Sequence, residues 1–248
     1  MNNYYRPPSF SMFPPVVKNL LIANVLFLLA TIIIRDTYNY DITNLLGLHY
    51  FLSSKFKIFQ LVSYMFLHDT SSFFLQHNLD SLAHIGSNMF ALWMFGAVVE
   101  NYWGPKRFII FYLVCGIGAA IVQEATWFFY FNNIKESVDT YLATHDQQGV
   151  TLLFTKFQDL IDNATTIGAS GAIFGILLAF GMLFPNTMVY VFFAIPLKAK
   201  YFVIIYGLIE LYMGAKSSTG DNVAHFAHLG GLLFGFIMIM YWKRKRTL

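Results

Sequence analysis

The sequence predicts an all-α polytopic membrane protein of six transmembrane helices. Three observations predict it. Of 248 residues, 57% are hydrophobic and 12% are charged, about half the charge of a soluble domain. The apolar residues gather into runs of membrane-spanning length, separated by polar stretches. Phe (27) and Tyr (15) are abundant, as expected where side chains meet lipid and its interface. The net charge of +3 is too small to point to nucleic acid. The single cysteine, Cys115, lies in an apolar run and reads as a small core residue, so no internal disulfide can form.

Residues 1–15 carry Pro7, Pro8, Pro14 and Pro15 and read as a short cytoplasmic tail. The first span is 16–34, closed by Arg35 and Asp36. It follows Lys18 without a small-residue cleavage site and reads as a retained helix rather than a signal peptide. Residues 36–81 mix charges, aromatics and apolar pieces too short to span, and read as a long outer loop with interfacial or re-entrant parts. The second span is 82–101, followed by a turn at Gly104-Pro105. The third is 107–131. Residues 132–165 are polar and read as a second outer loop. The fourth span, 168–184, ends at Pro185, with a linker over 185–196. The fifth is 199–214, and the sixth, 222–242, runs into a basic tail, 243–248. An even number of spans puts both termini on one side. Ten Lys and Arg fall on that side, against six in the much longer loops of the other, so both termini are expected in the cytoplasm.

Polar groups at membrane depth are costly and tend to mark function. The run 167–175 opens the fourth span with Gly168, Ser170 and Gly171. Small residues let a second helix or a substrate backbone come close. Unpaired N–H groups at a helix start can stabilise an oxyanion. By itself the run is equally ordinary helix-packing chemistry. His84 and Asn88, four apart, share a face of the second span. They can donate together to one oxygen, or simply tie that helix to a neighbour. On the sixth span, His228 shares a stripe with Gly231 and Gly235. Packing this stripe on Gly171 and Gly175 would bring His228 to Ser170 as a general base to a nucleophile. Phe174, one turn below Ser170, could stack under the imidazole. His225, one turn above His228, would face water or the same cavity. Glu100, Glu124 and Glu210 read as structural. Asp221 is too far from His228 for a triad, so the residues favour a Ser–His dyad.

This pattern resembles the rhomboid family of intramembrane serine proteases. The resemblance rests on His84-x-x-x-Asn88, Gly168-x-Ser170-Gly171 and Ala227-His228-x-x-Gly231, with support from Glu100 to Gly104. It implies Ser170 as nucleophile and His228 as general base. The oxyanion hole would come from the Ser170 N–H with the His84 and Asn88 side chains. Phe174 would replace a tyrosine seen in some members. The fifth span and loop 215–222 would form a gate and cap. Substrates would be other transmembrane proteins in the lipid bilayer, with no metal or organic cofactor. Where some members carry Trp-Arg in the first outer loop, this chain has Phe59-Gln60. Rival readings are a non-catalytic client-binding relative, a metal site built on His84, His225 and His228, and a plain channel. The metal reading lacks a His-Glu-x-x-His motif, and the channel reading lacks repeat symmetry. The short basic tail and the missing organelle signals suggest a bacterial plasma membrane.

Overall fold

The computed structural model describes residues 10–70, 80–142, 147–191, 194–216 and 224–245. Helix α1 covers Pro15–Tyr38. Proline suits a first helical position, where its missing donor would have no intrahelical partner anyway. The next two donors are received by a distant carboxyl group: Val16 N–H by Glu100 Oε1 at 2.9 Å and Val17 N–H by Glu100 Oε2 at 2.8 Å. The helix ends at Asn39, in the left-handed region with φ 50°, which asparagine tolerates better than most residues.

The first loop is ordered by short elements: α2 (Thr43–Leu46), β1 (Leu48–His49), α3 (Gln60–Ser63) and a 3-10 turn at Tyr64–Phe66. Gln60 is fully buried and organises them. Its amide nitrogen donates to the carbonyls of Leu45 (3.1 Å) and Lys55 (3.0 Å). Its oxygen accepts from the N–H groups of Lys57 (3.1 Å) and His49 (3.3 Å). The departure from Trp-Arg at 59–60 therefore leaves an ordered loop, because a neutral amide satisfies four backbone groups at once.

His68 anchors the end of this loop. Its Nε2 lies 2.9 Å from Asn24 Oδ1 on α1, and the residue is 2% exposed. Burial, helped by the neighbouring His84, pushes its pKa from 6.5 down to about 4. The unfolded chain takes up this proton near 6.5 and the folded chain only near 4. Stability is therefore full above about pH 6.5, declines as pH falls to about 4, and then levels off. The total loss is roughly 3 kcal/mol. Thermal midpoints across this window should slope in the wild type and flatten in His68→Gln, which keeps a donor for Asn24.

Helix α4 (Asp80–Ala91), a π-helical turn at Leu92–Gly96 and α5 (Ala97–Trp103) run on as one rod. The rod breaks at Gly104, whose φ of 80° suits a residue without Cβ. Helix α6 then covers Pro105–Leu142 and α7 covers Gln147–Asn163. The polar stretch 132–165, expected as a loop, is thus mostly helical. Its apolar side packs Ile161 and Phe157 against Phe131 and Tyr50, and this supplies the burial that polar composition hid. Strand β2 (Thr165–Thr166) pairs antiparallel with β1, Leu48 opposite Thr166 and His49 opposite Thr165.

Helix α8 covers Ser170–Leu183. The expected linker 185–196 belongs instead to a hairpin of β3 (Met188–Val191) and β4 (Ile195–Lys198). Helix α9 covers Ala199–Lys216 and α10 covers His225–Arg244. Asp221 and residues 217–222 of the expected cap lie outside the described residues.

The core lies where α6, α8 and α10 meet, around Phe108, Phe111, Tyr112, Cys115 and Ile176. Glycine makes the closeness possible. A Cβ on Gly231 would sit 1.8 Å from the Gly171 carbonyl oxygen, and one on Gly175 would sit 2.3 Å from Cys115 Sγ. The packing of Gly171 and Gly175 on Gly231 and Gly235 is the one the spacing predicted, with α6 as a third wall. Among the described residues, three helices are long and apolar enough to cross a membrane: Pro15–Tyr38, Pro105–Glu136 within α6, and His225–Arg244.

Candidate active site

The chain is pinned just before Ser170. Strand β2 fixes residues 165–166. Two residues on, the Gly168 N–H donates to the Tyr64 carbonyl at 2.9 Å. Tyr64 is itself held, its hydroxyl donating to the Gly116 carbonyl at 2.7 Å. Gly168 has φ 124°, a conformation that side chains strongly disfavour. This bend delivers Ser170 as the first residue of α8, where the helix leaves its N–H groups without intrahelical partners. Ala169 and Ala172 beside it are completely buried.

His228 lies in the first turn of α10. Its Nε2 is 2.7 Å from Ser170 Oγ, and its ring stacks on Phe174 at 4.3 Å between centroids and 9° between planes. The predicted meeting of Ser170, His228 and Phe174 is therefore present in the fold. Phe174 continues into Tyr206 of α9, 4.9 Å away.

The reading of Glu210 needs correction. Glu210, on α9, was expected to be structural, and no acid was expected beside His228. Glu210 Oε2 lies 2.9 Å from His228 Nδ1 and 2.7 Å from His225 Nδ1. Both His225 and Glu210 are buried, so of its two expected settings His225 takes the one it shares with His228. A carboxylate oxygen only accepts. Both histidines therefore carry hydrogen on Nδ1, which leaves the His228 Nε2 lone pair to accept from the Ser170 hydroxyl. Sequence spacing missed this contact because it joins separate helices. The available signal was a carboxylic acid inside an apolar segment, which needs a partner.

On α4, Asn88 is buried, and among the described residues its Nδ2 has no hydrogen-bond partner. His84 is exposed, with its ring 6.5 Å from that of His68. Helix α4 packs beside α8, so one donor-bearing face lies next to the helix that starts with Ser170. Glu210, His225 and His228 also form the group whose ligand atoms all lie within 4.8 Å of one another. Two imidazoles and a carboxylate suit zinc. This group differs from the His84, His225 and His228 set considered from sequence.

Fold and site together define an integral membrane protein with a serine and a histidine joined at the head of a short buried helix. The chain belongs to the rhomboid family: the Rhomboid domain model matches residues 55–245. Among curated proteins it is similar to Rhomboid protein 1, mitochondrial, of Saccharomyces cerevisiae, 24% identical over 64% of this chain and 37% of that protein. It is also similar to the Rhomboid protease GluP of Bacillus subtilis, 29% identical over 62% of this chain and 22% of that protein. RHOMBOID-like protein 12, mitochondrial, of Arabidopsis thaliana is 28% identical over 66% of this chain and 43% of that protein. The chain thus spans less than half the length of these relatives. Two of the three are mitochondrial, so the bacterial plasma membrane expected from the tail gains no support from them.

Proposed function

We propose that this chain is an intramembrane serine endopeptidase acting on transmembrane segments of other membrane proteins. The observation that carries this reading is the 2.7 Å contact between Ser170 Oγ and His228 Nε2. In the proposed reaction Ser170 Oγ attacks a substrate carbonyl carbon while His228 Nε2 takes the hydroxyl proton. The oxyanion is received by the Ser170 N–H and by the His84 and Asn88 side chains. The Asn88 Nδ2, buried without a partner among the described residues, supports that role, since such a donor is costly unless something comes to accept from it. The imidazolium then protonates the leaving amine as the C–N bond breaks. Water, losing its proton to His228, hydrolyses the resulting ester and frees Ser170 with its own proton restored.

The same reading takes the chain as six-spanning with both termini in the cytoplasm. The rod from Asp80 to Trp103 is about 35 Å long at 1.5 Å per residue, enough for a bilayer core. Helix α8 has 14 residues and is only about 21 Å long. Such a helix is shorter than the bilayer core, so the chain before it completes the crossing, which suits a serine sunk below the outer surface.

The test is cleavage of a single-span reporter protein in vesicles by wild type, Ser170→Ala and His228→Ala. Cleavage in the wild type alone, with at least a roughly 10³-fold loss in each variant, is the expected result. Equal cleavage by all three would assign the activity to another nucleophile. Binding of the reporter without cleavage by any would favour the client-binding relative.

A further inference from the structure

The helix that carries Glu210 is only thinly embedded in the bundle. On α9 the buried residues are Ala199, Val203, Glu210 and Gly214. Together with Gly207 they form one stripe at spacings of three and four, and most of the helix's large apolar side chains lie outside it. Gly207 and Gly214 let this stripe approach α10: a Cβ on Gly214 would sit 3.3 Å from His225 Cβ. Glu210 therefore reaches from a thinly attached helix to the imidazole that touches Ser170.

We propose that Glu210 is a positioning residue for His228, and that His225 shares its carboxylate as a second anchor. This rests on the proposed function above. The carboxylate fixes which His228 nitrogen carries hydrogen and holds the ring in line with Ser170 while Phe174 holds its plane. When Nε2 takes the serine proton, the carboxylate lies against the cation that forms. Because Glu210 belongs to α9 and the reacting pair to α8 and α10, the site is complete only while α9 is docked. A displacement of α9 would withdraw the carboxylate from His228. The groups facing His228 from the surrounding elements are Ser170, Glu210, His225 and the exposed His84; Tyr206 faces Glu210.

The contacts of 2.7 and 2.9 Å are hydrogen-bond distances. Ligands of one tetrahedral zinc, each about 2.0–2.1 Å from the metal, stand about 3.3 Å apart. The arrangement thus fits protons held between these groups, and a metal role is a distinct outcome of the test.

The experiment uses the full chain in detergent micelles and a fluorophosphonate probe, whose labelling rate reports the nucleophilicity of Ser170 without a known substrate. Variants are Glu210→Gln, Glu210→Asp and His225→Gln, with thermal midpoints measured alongside. Glutamine keeps the shape but presents a donor, so Glu210→Gln should label about 10²–10⁴-fold more slowly with its midpoint little changed. Glu210→Asp should recover part of that loss, and His225→Gln should stay within about tenfold of wild type. On a cleavable reporter, the Glu210→Gln loss should fall on kcat and leave KM alone. Glu210→Gln labelling within threefold of wild type would overturn the proposal while leaving the Ser170–His228 reading intact. Labelling that EDTA abolishes and zinc restores in the wild type would replace it with a metal site. If the wild type does not label at Ser170, the proposed function itself fails.

Discussion

Gly231→Ala is expected to destabilise the fold by about 3 kcal/mol or more and to abolish labelling of Ser170 by a fluorophosphonate. The added carbon would sit 1.8 Å from the Gly171 carbonyl oxygen and 2.7 Å from its carbon. Both are backbone atoms at the start of α8, one residue beyond Ser170. They cannot rotate away as a side chain could, so α8 and α10 must separate. Membrane helices have little hydrophobic force to draw them together and depend on such close contact. The separation also withdraws His228, three residues before Gly231, from the serine it touches. Gly207→Ala is the control. Its added carbon would meet Leu232 Cδ1 at 3.4 Å, an ordinary contact. It should leave stability unchanged or raise it by up to about 1 kcal/mol, the helix-propensity gain of alanine over glycine. Unfolding in mixed micelles, followed by circular dichroism, separates the two variants.

Glu100→Ala should lower stability by about 2–4 kcal/mol, because it strands one buried and one half-buried donor at once. Glu100 is 1% exposed, and its two oxygens each receive one N–H from the first turn of α1. It thereby does from another helix what a local capping residue usually does, at the end of the helix dipole that favours negative charge. Glu100→Gln keeps one acceptor and turns the other into a donor facing an N–H, so its loss should be smaller but real. The effect belongs to α1 and not to the chemistry. Below its unfolding midpoint the alanine variant should therefore label at Ser170 at a rate near wild type. A midpoint equal to wild type in Glu100→Ala would show that water replaces both acceptors at no cost.

These two expectations divide the molecule as its sequence does. The membrane class, the apolar segments and the glycine faces were legible because each is a repeated local signal. Runs of apolar residues report burial in lipid, and Gly171, Gly175, Gly231 and Gly235 report close approach by their four-residue spacing. The meeting of Ser170 with His228 followed from those same faces, since packing them aligns the two side chains at one depth.

What stayed hidden depended on contacts between distant segments. Residues 132–165 looked like a loop because their polarity outweighs a narrow apolar side, which becomes visible only against Phe131 and Tyr50. Glu100 looked like one more structural acid, yet its task is set by a helix start 83 and 84 residues away. Phe59-Gln60 stands where some relatives carry Trp-Arg, and the four backbone partners of Gln60 could not be named from spacing. Glu210 reads from sequence as a structural acid, like Glu100 and Glu124. The sequence by itself determined the solvent of this protein, its apolar segments and the residue types able to react. Only the tertiary structure decided that a carboxylate on α9 would stand behind His228. A hydrogen bond is short and directional, and the chain order of Glu210, His225 and His228 does not say which faces of two helices turn toward each other.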